Sequence, residues 1–190
     1  MKKRLTLSLV VVVLAVVGSL VGAGSVSAVA QERESLRPDL SGRWQLNREL
    51  SENAQAKLER MQSAQGSGHG PGRHGGGRNA QMEEARVLVL SAPSSFVVMQ
   101  DGDRIVLTDS DGRVRTLTAN ARKEKVNGRD VQTKWDKHRL VSQTSLSNGK
   151  VTETYERLTN APQLIVTTNL DMRRGHEVSV RRVYDAESPR

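Results

Sequence analysis

Apolar residues along this chain come in three textures: one continuous run, one thin helical stripe and a long series of alternations. The run spans Leu5 to Val21, follows three positive charges at Lys2, Lys3 and Arg4, and precedes the small residues Ser27-Ala28-Val29-Ala30. That order is the layout of a secretory signal peptide, so residues 1–30 are expected to be removed by cleavage after Ala30 or, by the same rule, after Ala28; an uncleaved anchor is the alternative reading of the same run. Gln31 to Asp39 is polar with Pro38 near its end and reads as a flexible leader, residues 31–39. A single β-barrel domain is expected over residues 40–187.

The alternations begin at Leu40-Ser41-Gly42-Arg43-Trp44-Gln45-Leu46-Asn47, where Trp44 and Leu46 stand between polar neighbours. This period of two predicts a half-buried first strand. A helix follows: Ser51 is placed to cap it, Glu52 suits the positive end of its dipole, and Ala54, Leu58 and Met61 recur at helical spacing. So thin a stripe predicts a helix lying on a larger body. Gly66 to Arg78 then holds seven glycines and one proline in thirteen residues, and a disordered glycine-rich loop is expected over 65–79 because so little apolar surface cannot offset the entropy of ordering it. A short helical turn around Met82 to Ala85 brings the chain back.

From Arg86 onward short apolar runs alternate with turn signals: Asp101-Gly102, Asp111-Gly112, Asn127-Gly128, Asn148-Gly149, Asn160-Ala161-Pro162 and Arg174-Gly175. Asx-Gly pairs accept the positive φ of tight hairpins. The predicted strands lie near 43–47, 86–91, 95–100, 104–109, 113–119, 129–136, 139–147, 150–158, 163–170 and 177–185. Connections this short make neighbours antiparallel. One parity carries Val131 and Trp135, Leu140 and Leu146, Val151 and Tyr155, Leu164, Val166 and Leu170, and Val178, Val180 and Tyr184, while Lys134, Glu156, Arg181 and most threonines fall on or near the other. The fold class is therefore all-β: an up-and-down antiparallel meander, with one short helix inserted after the first strand, that hides its apolar face by closing into a barrel or a sandwich.

Composition changes the picture in three ways. No cysteine is present, so an exported chain would fold on its core alone, without a disulfide or a lipidated N-terminal Cys. Loss of Lys2, Lys3 and Arg4 reduces the formal charge from +8 to +5, a scattered basic excess that allows an anionic surface or an envelope protein as partner. Nucleic acid is disfavoured, because aromatic stacking platforms are lacking. The aromatic residues are Trp44, Phe96, Trp135, Tyr155 and Tyr184 alone, and they are the candidate ligand-binding residues for a small hydrophobic molecule.

The Gly42-x-Trp44 opening of an antiparallel meander resembles the lipocalins and the wider calycin group. The stretch LSGRWQLN followed by a helix and a closing RRVYD resembles a set of small secreted bacterial proteins. The resemblance implies a lipocalin-like barrel, located in the periplasm or secreted, whose first-strand Trp44 closes the bottom of the barrel beside Gly42. It also implies that an Arg from the end of the sheet packs across that Trp. Arg181 and Arg182 are both available, and Arg182 shares the inward parity of Val180 and Tyr184. The absent cysteines, the helix and glycine loop after the first strand, and the 3% aromatic content depart from the lipocalin pattern.

Catalytic chemistry is not signalled. There is no Cys nucleophile and no Gly-x-Ser-x-Gly elbow, and His138 and His176 stand beside hairpin turns. Asp101 with Asp103 and Asp109 with Asp111 occupy positions where hairpins use Asp for backbone bonding. As calcium loops they lack the later bidentate Glu. His69 and His74 in the glycine loop have no further ligands near them in sequence. The expectation is a non-enzymatic protein with no catalytic residues, no metal and no cofactor that binds a small apolar or amphipathic ligand; the alternative is an envelope module contacting a protein or an anionic surface through its basic face or its glycine loop.

Overall fold

A computed structural model describes residues 37–65, 83, 86–172 and 176–187. The expected signal segment, most of the leader and the glycine-rich loop with His69 and His74 lie outside the described residues, as does the side chain of His176. The described chain forms one sheet of ten strands: β1 (Gly42–Asn47), β2 (Ser95–Asp101), β3 (Arg104–Asp109), β4 (Val114–Thr118), β5 (Asn120–Val126), β6 (Arg129–Asp136), β7 (Arg139–Leu146), β8 (Gly149–Arg157), β9 (Gln163–Met172) and β10 (His176–Ala186). Their order is β4-β3-β2-β1-β10-β9-β8-β7-β6-β5, every pairing antiparallel. The first and last strands pair, so the sheet curls into a barrel that is closed except between β4 and β5.

That opening has a local cause. A single residue, Ala119, links β4 to β5, too little chain for even a two-residue hairpin. Ala121 takes a positive φ of 59° and the β5–β6 ladder slips between Asn120 and Lys123, so the chain turns a corner there. All seven residues of β5 are exposed.

Two apolar clusters fill the body. One gathers around Trp44 with Leu40, Phe96, Ile105, Leu140, Leu164 and Tyr184; the other joins Leu58 and Val89 to Val151, Leu170, Val178 and Val180. Leu58 belongs to helix α1 (Ala54–Gln65), which follows β1. Among the described residues no helix is long and apolar enough to cross a membrane.

Three expectations are corrected here. Residues 86–90 are helical, with the amide of Ser91 bonded to the Val87 carbonyl at 2.9 Å. A run of four or five apolar residues does not distinguish helix from strand by period, and β2 already has β1 and β3 as neighbours. The cap of α1 is Asn53, whose Oδ1 accepts the Ala56 amide at 3.0 Å. Ser51 instead donates to the Asn47 carbonyl at 2.5 Å and accepts the Val183 amide at 2.9 Å, tying the loop to β10.

The third concerns the cation over Trp44. The indole is 1% exposed and its Nε1 donates to the Leu40 carbonyl at 3.0 Å. The guanidinium 5.7 Å from its ring centre belongs to Arg157, at the end of β8, and not to Arg182. Inward parity is right for Arg182, but level is not. Trp44 lies opposite Ala186, four residues further along β10, or about 13 Å at the rise of a strand.

Two glycines carry backbone constraints. Gly42 has φ +147°, a conformation that side-chain-bearing residues rarely adopt, directly beneath the Trp44 ring; at Gly149 (φ +156°) an added Cβ would lie 2.3 Å from the Asp171 carbonyl oxygen.

Candidate functional site

Every second residue of a strand faces the barrel interior, and most of those residues here are apolar. Two buried exceptions, Thr133 and Ser142, hydrogen-bond to each other; the others gather into a site. The inward residues are Arg115 and Leu117 on β4, Val151, Glu153 and Tyr155 on β8, Val166 and Thr168 on β9, and Arg182 and Tyr184 on β10. With Phe96 of β2, these residues line a cavity of about 510 Å³, within the size range of small-molecule sites. A second depression, between Pro38 and Pro162, is open to solvent and lined by Asp39, Arg157 and the residues of the β8–β9 loop.

The lining of the cavity grades from exposed to buried. At its mouth stand Val114, 65% exposed, and Val126 and Asn127 across the β4–β5 opening. Halfway in, Arg115 and Glu153 form an ion pair whose side chains are 41% and 21% exposed. β4 and β8 are not neighbours in the sheet, so this pair spans the interior. At the floor Phe96, Tyr155, Arg182 and Tyr184 are all buried. Tyr184 packs edge-on against Phe96, with ring centres 4.7 Å apart, and its hydroxyl donates to the Pro93 carbonyl at 3.2 Å.

Arg182 is the exceptional residue. It is 6% exposed, donates from Nη1 to Thr168 Oγ1 at 3.4 Å and from Nη2 to the Val89 carbonyl, and among the described residues no acid forms an ion pair with it. Two of the five donors of a guanidinium have those partners. Burial pulls its pKa down, opposed by Tyr184 and by the Glu153 carboxylate, yet an arginine in a protein stays protonated. For Arg115, burial alone would lower the pKa, but Tyr155 and Glu153 raise it. Burial, with Glu153 nearby, pushes the Tyr155 pKa up, and burial takes Tyr184 to about 12. Both phenols are therefore neutral at physiological pH.

Of the aromatic residues singled out from the sequence, the fold brings Phe96, Tyr155 and Tyr184 together on the cavity wall. Trp44 lies outside it in the core. Trp135 is half-buried against the apolar cluster around Trp44, and its buried Nε1 has no hydrogen-bond partner among the described residues. Arg115, Glu153 and Thr168 were not anticipated, although Val151-x-Glu153-x-Tyr155 and Val166-x-Thr168-x-Leu170 place each polar residue within an inward-facing apolar set. Among the described residues, no histidine lines the cavity and no group of three metal-ligating side chains occurs. His138 pairs with Glu156 at 3.1 Å on an exposed hairpin. Asp109 accepts the Asp111 and Arg113 amides, which is a turn role.

No protein-family model and no curated protein matches the chain. Among solved structures, it is similar to the fluorescent protein UnaG, with 15% identity over 78% of this chain and 97% of that one and a TM-score of 0.46. A mutant of the same protein gives 16% identity, 79% and 97% coverage and a TM-score of 0.48. Zebrafish ileal bile acid-binding protein complexed with cholic acid gives 13% identity, 77% and 98% coverage and a TM-score of 0.42.

Proposed function

We propose that this is a non-enzymatic binding protein that encloses one small amphipathic molecule, its apolar body against Phe96, Leu117 and Val166 and an anionic head group at Arg182. The observation that carries the reading is a buried guanidinium, facing a cavity inside the barrel, that has no carboxylate in ion-pair contact among the described residues. Burying an unpaired charge costs several kcal/mol, and a core needs no such residue. Thr168, Tyr155 and Tyr184 add hydroxyls around the same floor. In this reading the protein acts in the periplasm or outside the cell, as the signal-like order of residues 1–30 suggests.

Calorimetric titration with dodecanoate and dodecan-1-ol, which share a tail and differ in head group, tests it. The expected result is 1:1 binding with a preference for the carboxylate of about 10- to 100-fold, the scale of one charge-assisted hydrogen-bonded contact, and loss of that preference in Arg182→Gln. Equal affinities in the native protein, or no binding of either, would overturn the proposal.

A further inference from the structure

The cavity holds more charge than Arg182 alone, and the way that charge is partitioned bears on which head groups the site accepts. At the mouth Arg113 is bonded to Asp109 at 2.9 Å and Asp111 at 2.5 Å, and Arg129 has an interaction of its own. Deeper in, two guanidiniums, Arg115 and Arg182, share one carboxylate, Glu153. The ion pair belongs to Arg115. Glu153 stands opposite Thr168 in the β8–β9 register, and Thr168 accepts from Arg182, so the three charged groups form one cluster with a net single positive charge. The carboxylate of Glu153 already occupies, at Arg115, the kind of site an anionic ligand would take.

We propose that Glu153 is the specificity-determining residue of this cavity: by occupying Arg115 it leaves room for one negative charge at Arg182, so that a singly charged head group is accepted and a doubly charged one is rejected. The proposal rests on the binding role assigned to the cavity. A second negative charge would sit beside the Glu153 carboxylate in a partly dehydrated space, where like charges repel strongly. Removing Glu153 frees the Arg115 guanidinium. The lumen then offers two cations, an arrangement suited to a phosphate monoester.

Decyl sulfate and decyl phosphate test this. They share a tail and a tetrahedral head group, but above the second phosphate pKa of about 6 they differ by one charge. At about pH 8 the native protein is expected to bind decyl sulfate at least about 10-fold more tightly than decyl phosphate. Glu153→Gln should close that gap or invert it. The double variant Arg115→Gln/Glu153→Gln, whose net lumen charge equals that of the native protein, should restore it. Equal affinities in the native protein, or a sulfate-to-phosphate ratio unchanged in Glu153→Gln, overturns the role given to Glu153. Should Glu153→Gln not fold, the native ratio and the double variant decide alone. Failure of the native protein to bind dodecanoate as well as both decyl compounds would instead overturn the binding role itself.

Discussion

Replacing Trp44 by Ala removes the largest buried side chain in the core, and the structure gives each part of the loss. The indole is 1% exposed, so truncation carries the cost of a large aromatic deletion, about 3–5 kcal/mol. That figure includes the Nε1 bond to the Leu40 carbonyl, worth about 1 kcal/mol, and the Arg157 guanidinium over the ring, worth about 0.5–1 kcal/mol at a half-exposed position. For a domain of this size the midpoint should fall by about 10–15 °C. Trp44→Phe retains most of the apolar body and should lose only about 1–2 kcal/mol. Urea melts followed by circular dichroism measure both, and a double-mutant cycle apportions the cation. The Trp44/Arg157 coupling should be about 0.5–1 kcal/mol and the Trp44/Arg182 coupling close to zero. A loss below about 1.5 kcal/mol for Trp44→Ala, well under the range for a buried aromatic, or a coupling to Arg182 instead of Arg157, would refute this account of the closed end.

Arg182→Met should change the stability of the ligand-free protein by less than about 1.5 kcal/mol in either direction, because losing the Val89 carbonyl's donor is offset by removing a buried charge; chemical denaturation checks it, and a collapse of the fold would make Arg182 a structural residue. Gly149→Ala should cost more than about 2 kcal/mol, since its Cβ would strike the Asp171 carbonyl, whereas Gly128→Ala, with open space around it and φ +78°, should cost about 1 kcal/mol; thermal melts of the two variants give the comparison. The chain has two tyrosines, and both are held protonated by burial, Tyr184 to about 12 against an ordinary 10.0. Because the native pKa is the higher one, this stability is fully present below pH 10 and is lost as pH rises from 10 toward 12, the unfolded chain releasing protons that the native state keeps. Phenolate absorbance should therefore stay flat until the protein unfolds, and an ordinary tyrosine titration in a still-folded protein would contradict the burial.

The strands whose apolar residues keep one parity were legible from their residues alone. β8, β9 and β10 show this: Val151 and Tyr155, Leu164 to Leu170, and Val178 to Tyr184 face inward in the structure as their alternation requires. β5 was not legible, because Asn-Ala-Arg-Lys-Glu-Lys-Val has no apolar face to reveal a strand, and among the described residues it pairs with β6 alone. The predicted and observed strands both number ten only because 86–91, helical over 86–90 in the structure, is counted in the prediction and β5 is not.

The partner of Trp44 was missed for a different reason. Parity says which way Arg182 points, but only the β1–β10 register says at what height, and register is a property of two strands. The cavity shows the same limit. Its polar residues are scattered over β4, β8, β9 and β10, and nothing short of the curled sheet brings Arg115 to Glu153. What could have been read is that Arg115, Glu153, Thr168 and Arg182 break apolar parity sets. A polar residue on the core face of a strand is the informative exception.

The central claim is that the floor of the barrel is an anion site. A crystal structure of the protein grown with dodecanoate tests it most directly: the carboxylate should lie within about 3 Å of the Arg182 guanidinium nitrogens, with the tail running between Phe96 and Val166 toward the β4–β5 opening. A tail bound outside the barrel, or a carboxylate at the mouth with Arg182 still facing Thr168 and the Val89 carbonyl alone, would contradict the account.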